Sequence, residues 1–301
     1  MKQVVTVDGR ELTLTNLKKV FWPKEGYTKG QLIEYYVTIA PYLLPMLSGR
    51  PLVLKRMPDG IKGKFFYQKD CPDHAPDWVK TFPSASESQN KVIDYITADH
   101  PATLAWLANL GCIEIHAWLS TVEKPEYPTI AVFDLDPCPP AGFKDTLPLA
   151  LLIKSALDQF NLRIFPKTSG ASGLHLFVPI EPIHTFEEVR KATKFICDLV
   201  LQHYPEKATL EHLVKNRTGK VYLDYLQNAL GKSMAWVYSL RPEPMASISC
   251  PLEWSEIESE QVDPTSFNLL TIGNRIKEKG DLYAEFNSTK QNLKEILKLA
   301  D

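Results

Sequence analysis

The sequence predicts a mixed α/β (α+β) protein with a central core and a basic lobe at its N-terminal end. Three observations carry this. Short apolar segments with strand alternation interleave with amphipathic helical periodicity along the chain. The 301 residues, 44% hydrophobic and 23% charged, suffice for a large core and exclude a fibrous or disordered chain. Charge is also unevenly divided: residues 1–69 hold 12 Lys+Arg against 5 Asp+Glu, or +7, whereas 70–301 hold 22 against 31, or −9. That is the field a phosphate backbone would meet, and a solvated lysine-rich surface has the same composition.

The elements follow in order. Thr28 is placed to cap a helix whose stripe Leu32, Ile33, Tyr36, Ile39 and Ala40 faces a core, and Gly49 stops it. Residues 51–56 and 65–69 read as strands joined by a turn at Pro58-Asp59-Gly60, and 92–96 as another. Asp99 is placed to cap a helix over 101–110, before strands at 113–119 and 129–135. A helical pattern fills 146–160, and 163–167 and 174–180 are apolar strands around a small-residue turn. Thr185-Phe186-Glu187-Glu188 has capping-box spacing and opens a helix toward Tyr204. Segments 221–226 and 234–240 are apolar, and 267–279 begins a polar helical region. Without repeats or long linkers, 1–301 reads as one domain with approximate lobes at 1–90, 91–255 and 256–301.

The apolar stretch 102–119 is broken by Asn109, Glu114 and His116 before it reaches the ~20 residues of a bilayer span. The N-terminus has no secretory core. Five cysteines, at 71, 112, 138, 197 and 250, show no redox or metal spacing, which predicts a reducing, cytoplasmic setting and no zinc.

Chemistry concentrates in a few segments. Ile130-Ala131-Val132-Phe133-Asp134-Leu135-Asp136-Pro137 is an apolar strand ending in two carboxylates on one face. Two buried anions this close need a compensating cation, and hard oxygen ligands suit Mg²⁺ or Mn²⁺; a solvated turn is the alternative for an isolated Asp-x-Asp. Asp224 interrupts another apolar strand, either as a third acid or as the outward residue of an edge strand. Lys167-Thr168-Ser169-Gly170-Ala171-Ser172-Gly173-Leu174-His175 joins two strands through a turn able to offer N–H groups, hydroxyls and an imidazole to a polyphosphate. The same turn also serves plain hairpin chemistry. Arg217 and Arg241 bracket Asp224 as planar cations, for phosphate or for surface ion pairs.

Together these segments resemble the polymerase domain of bacterial ligase D, the non-homologous end-joining branch of the archaeo-eukaryotic primase superfamily. The resemblance covers about residues 14–254 and rests on blocks in order. They are Leu14-Thr15-Asn16-Leu17-Lys18-Lys19-Val20, Lys55-Arg56, Phe66-Tyr67-Gln68-Lys69 and Glu114-Ile115-His116, then Asp134 with Asp136. Thr168-Ser169-Gly170 with Gly173-Leu174-His175, Asp224 with Gln227-Asn228, and Tyr238-Ser239-Leu240-Arg241 complete the set.

The resemblance implies a primase-like catalytic core and a template-directed nucleotidyltransferase that fills short gaps at double-strand breaks, favouring ribonucleotides and using two Mn²⁺ or Mg²⁺ ions. Asp134, Asp136 and Asp224 would hold the ions. Lys55, His116, Ser169, His175 and Arg241 would surround the incoming NTP or dNTP, and Arg217 joins them as a nearby cation. Lys19 and Lys29 would hold the downstream 5′-phosphate of gapped DNA; Phe66 and Tyr67 would stack on template bases, with Lys69 beside them on the DNA. Ku and a DNA ligase are the implied partners, and the location is cytoplasmic and nucleoid-associated. Ser172 stands where some relatives carry lysine, and the extra Phe65 leaves the aromatic register open by one residue. The same acids would also serve a primase that starts chains without a primer. A non-catalytic end-binding module that recruits Ku and ligase would have no use for clustered carboxylates.

Overall fold

Local signals shape most of the helices. Thr28 caps Lys29–Leu47 through a reciprocal box with Gln31, and the stripe Leu32, Ile33, Tyr36, Ile39 and Ala40 is buried. Thr185 and Glu188 do the same at the head of Phe186–His203. One expected cap moves: His100, not Asp99, caps Pro101–Asn109, its Nδ1 accepting the Ala102 N–H at 3.1 Å. Proline occupies the first helical position, so the residue just before it is the one whose side chain reaches the orphan N–H. Asp99 pairs with Lys80 instead. The computed structural model describes residues 2–86 and 90–300, and among these no helix is long and apolar enough to cross a membrane.

The chain forms two units. The first takes residues up to Trp118 with Ser233–Ile248 and Asn268–Ile272; the second takes Leu119–Lys232, Ser249–Phe267 and the residues from Gly273 on. These limits differ from the expected lobe boundaries at 90 and 255. The cause is strand pairing: Ser233–Ala235 adds antiparallel to Cys112–Trp118 and draws a distant segment into the first unit.

In the first unit an antiparallel four-stranded sheet runs Ser233–Ala235, Cys112–Trp118, Leu52–Arg56, Phe66–Gln68. A hairpin of Lys2–Val7 and Arg10–Thr15, which the sequence pattern did not single out, precedes it. Lys80–Ser86 and Lys91–Thr97 form another hairpin.

In the second unit a five-stranded sheet runs Phe165–Thr168, Leu174–Pro179, Ile130–Pro137, Val221–Leu223, Ala208–Thr209. All pairs are antiparallel except the last. Ala131, Phe133 and Leu135 share a buried cluster with Leu147, Leu149 and Ile153 of Phe143–Asp158 and Val189 and Ile196 of Phe186–His203. Alternation therefore sends Asp134 and Asp136 to the opposite face of the central strand. The expected 267–279 helix is confined to Ile272–Lys279.

Candidate active site

The acidic strand Ile130–Pro137 pairs on both sides, which fixes its carboxylates in register. Asp134 lies opposite His175 and Asp136 opposite Tyr222. Beyond the end of Val221–Leu223 the ladder gains one more bond, from the Asp224 N–H to the Asp134 carbonyl at 2.8 Å. Asp224 thus stands beside Asp134 on an inner strand, not on a wet edge. Asn228, fully buried, holds it there. Its side chain accepts from the Val132 N–H at 2.9 Å and donates to the Val132 carbonyl at 2.8 Å and the Tyr225 carbonyl at 3.1 Å.

The side chains around these acids are tied to neighbours. His175 Nε2 lies 3.3 Å from Asp134 Oδ1, and the Tyr222 hydroxyl donates to Asp224 Oδ1 at 3.0 Å. Burial pushes the Tyr222 hydroxyl well above its ordinary range, with the Asp224 charge beside it adding to the effect. Among the described residues no three His, Cys, Asp or Glu side chains converge closely enough to cage an ion. The backbone nevertheless places three hard carboxylates in adjacent register positions, a donor set suited to Mg²⁺ or Mn²⁺.

The small-residue turn between Phe165–Thr168 and Leu174–Pro179 is internally bonded. Ser169 Oγ accepts from the Ala171 N–H at 3.1 Å and the Gly173 N–H at 3.0 Å. These two amides shape the turn, where the sequence reading had them open to phosphate; the serine O–H is the group able to donate outward. Gly173 is required by proximity, since a Cβ there would meet the Leu135 carbonyl oxygen at 2.6 Å and Asp136 Oδ1 at 3.2 Å. Lys167, fully buried, bonds His175 Nδ1 at 2.7 Å and donates to Ser249 Oγ at 2.6 Å. Arg217 is buried and stacks 3.5 Å from the Tyr222 ring centroid. It donates to the carbonyls of Glu211 and His212, so it braces its own loop.

The first unit gathers the other phosphate candidates. Lys55, His116 and Arg241, from three separate segments, all contact the buried Glu114, at 2.6, 2.7 and 3.2 Å. The carboxylate only accepts, so His116 Nε2 carries the proton it shares. Burial and the neighbouring Arg241 and Lys55 charges outweigh the pull of Glu114, and the imidazole pKa lies below its ordinary value. Glu114 was legible only as part of a motif. The missed signal was an acid two residues before His116 in a strand otherwise apolar, hence on the histidine's face.

Alternation also decides the aromatics. Tyr67 pairs with Lys55 and Phe66 with Arg56, so neighbours 66 and 67 point to opposite faces of the strand. Phe65 and Tyr67 share a face: their ring centroids are 6.0 Å apart, Tyr67 meets His116 edge-on at 5.8 Å, and Lys55 Nζ sits 5.1 Å over Phe65. Phe66 lies under Arg56, and a groove of about 490 Å³ is lined by Phe66 together with Tyr67, Gln68, Lys69 and Asp70. Phe66 and Tyr67, expected to stack on template bases, thus present their rings on opposite faces of the strand.

Lys19 and Lys29 adjoin. The Lys29 N–H bonds the Lys19 carbonyl at 2.8 Å, and its ammonium donates to Thr15 Oγ1 at 3.1 Å. Burial, then the Lys19 and Arg56 charges, lower the Lys29 pKa to about 8. Lys19 donates to the Pro58 carbonyl at 2.8 Å and pairs with Asp59.

A family model described as LigD, primase-polymerase domain, matches residues 28–283. The chain belongs to the LigD primase-polymerase family. Members of that family are DNA-directed nucleotidyltransferases of the primase–polymerase type. The chain is 35% identical over 283 residues to the bifunctional non-homologous end joining protein LigD of Bacillus subtilis, covering 94% of this chain and 45% of that protein. It is 30% identical to the multifunctional LigD of Mycolicibacterium smegmatis, over 91% of this chain and 36% of that protein. The chain thus spans less than half the length of these relatives. The fold matches a solved polymerase domain from Mycobacterium tuberculosis ligase D in complex with DNA, with a TM-score of 0.86 at 28% identity over 93% of this chain and 99% of that one. The mixed α/β, primase-like architecture expected for a LigD primase-polymerase is the one observed.

Proposed function

We propose that this LigD primase-polymerase domain extends a primer strand against a template across short gaps at broken DNA ends, as part of non-homologous end joining, and that it favours ribonucleotides. The observation that carries this is the register that sets Asp224 beside Asp134, with Asp136 two residues on along the same face. Asp134, Asp136 and Asp224 would hold two divalent ions, Mg²⁺ or Mn²⁺. Ions held there would lower the pKa of the primer 3′-hydroxyl and neutralise charge on the reacting phosphates and the departing pyrophosphate.

The chain's own groups perform the remaining tasks. Lys55, His116 and Arg241 would bind phosphate oxygens of the incoming nucleotide, as would the Ser169 hydroxyl and His175 Nε2–H, with Arg217 bracing the loop nearby. Lys19 and Lys29 would hold a downstream 5′-phosphate. Phe66, Tyr67 and Lys69 would line the template groove, and Tyr67 with Phe65 would also flank the nucleotide cations. DNA ends, NTPs, Ku and a DNA ligase are the partners this role needs.

The test is extension on a gapped primer–template with ribo- and deoxyribonucleotides, Mn²⁺ against Mg²⁺, and 5′-phosphate against 5′-hydroxyl. Wild-type protein extends the primer, and Asp134→Ala and Asp136→Ala abolish extension while DNA affinity is kept. Full extension by either variant refutes the assignment of the acids.

A further inference from the structure

Glu114 is 1% exposed in the middle of the strand Cys112–Trp118, yet its surroundings keep it ionised. Lys55 Nζ lies 2.6 Å from one oxygen; His116 Nε2 at 2.7 Å and Arg241 Nη1 at 3.2 Å share the other. Burial alone would raise its pKa, but the hydrogen bonds from His116 and Lys55 and the Arg241 charge outweigh burial and hold the carboxyl at about 2. Around one carboxylate stand an ammonium, a guanidinium and an imidazole donor, an excess of positive charge. Arg241 Nε is buried with no acceptor among the described residues. A site with surplus donors and surplus positive charge is built for an additional anion.

We propose that Glu114 is the resident anion of a polyphosphate site: it holds Lys55, His116 and Arg241 in place before the nucleotide arrives and shares them with phosphate oxygens afterwards. This rests on the polymerase reading in taking a nucleoside triphosphate as the ligand. Glu114 acts through the three side chains and is a positioning residue. Its charge has two opposite effects. It weakens the attraction of the cations for any polyanion, and it fixes the geometry in which they meet the right one. A residue needed only for packing would, when replaced, weaken both binding and turnover.

The experiment compares wild type, Glu114→Gln and Glu114→Asp by calorimetric binding of inorganic tripolyphosphate and by kcat and KM for primer extension near neutral pH. Glu114→Gln removes the charge in nearly the same shape. It binds tripolyphosphate about tenfold more tightly while kcat falls at least about tenfold, on the scale of one nearby charge at the dielectric of a partly buried site. Glu114→Asp keeps the charge and withdraws it by one methylene; it retains wild-type tripolyphosphate affinity and loses kcat. Unchanged or weaker tripolyphosphate binding by folded Glu114→Gln, or its wild-type kcat, overturns the proposal. If circular dichroism shows Glu114→Gln unfolded, Glu114→Asp decides, and wild-type kcat in that variant overturns it. Failure of the wild type to extend any primer rejects the polymerase reading, while the tripolyphosphate comparison still judges Glu114.

Discussion

The Asp224 N–H donates to the Asp134 carbonyl at 2.8 Å, so an acid at the end of one strand is locked beside an acid in the middle of the next. The side chain of Asn228 acts as a substitute strand segment, satisfying both main-chain groups of Val132 just upstream of Asp134. Leucine has the same branched shape and no hydrogen-bonding groups. Asn228→Leu leaves a buried N–H and C=O unpaired, which costs about 3 kcal/mol at roughly 1–3 kcal/mol per group. Urea unfolding measures this loss, and extension assays on the folded variant show kcat reduced while DNA affinity is unchanged. Wild-type kcat in folded Asn228→Leu would show that Asp224 needs no such anchor.

Gly173 approaches the acidic strand too closely for any side chain. A methyl group at 2.6 Å from the Leu135 carbonyl oxygen forces either the turn or the strand to move. Gly173→Ala is expected to cost about 1–3 kcal/mol, the usual range for overpacking, and to reduce extension further than the stability loss explains. Denaturant midpoints paired with kcat at saturating nucleotide test this; a variant with wild-type values for both contradicts the close approach.

Phe65 and Tyr67 flank Lys55 and His116, whereas Phe66 lies under Arg56 on the other face. Alanine at 65 or 67 should therefore raise KM for the nucleotide, and alanine at 66 should weaken binding of gapped DNA. A base–aromatic stack is worth about 1–3 kcal/mol, so each effect is roughly 5- to 150-fold. Fluorescence anisotropy for DNA and steady-state kinetics for nucleotide separate the two. Equal effects of all three substitutions on both constants argue against a division by strand face.

Lys29 enters the folded state with its pKa lowered from 10.5 to about 8, because it is buried near Lys19 and Arg56. Below pH 8 both folded and unfolded chains carry this proton, and the folded state bears the full cost of the buried charge. Between about pH 8 and 10.5 the unfolded chain binds more protons than the folded one, so this group's contribution to stability becomes more favourable as pH rises. The proposed phosphate recognition runs the other way, since the neutral amine no longer attracts a dianion. The preference for 5′-phosphorylated over 5′-hydroxyl gaps is expected to shrink as pH passes 8, and the shrinkage to vanish in Lys29→Met. Competition binding at neutral pH and at pH above 9 reads it directly, and a pH-independent preference in the wild type rejects the role of Lys29.

Local features were legible in the residues themselves. The Thr28 and Thr185 boxes, the apolar stripe of the first long helix and the alternation that turns Asp134 and Asp136 away from Phe133 and Leu135 all depend on spacings of two to four residues, which chain geometry sets without help from the rest of the fold. The ordered motifs from Lys19 to Arg241 pointed to the family as well. What no spacing could supply was register between distant segments. Asp224 meets Asp134 because two strands pair and Asn228 reaches across 96 residues of sequence to Val132. Glu114 stays ionised because Lys55, 59 residues away, and Arg241 arrive at one buried oxygen pair. Burying a carboxylate is unfavourable until those cations converge on it, and convergence is a property of the completed tertiary structure.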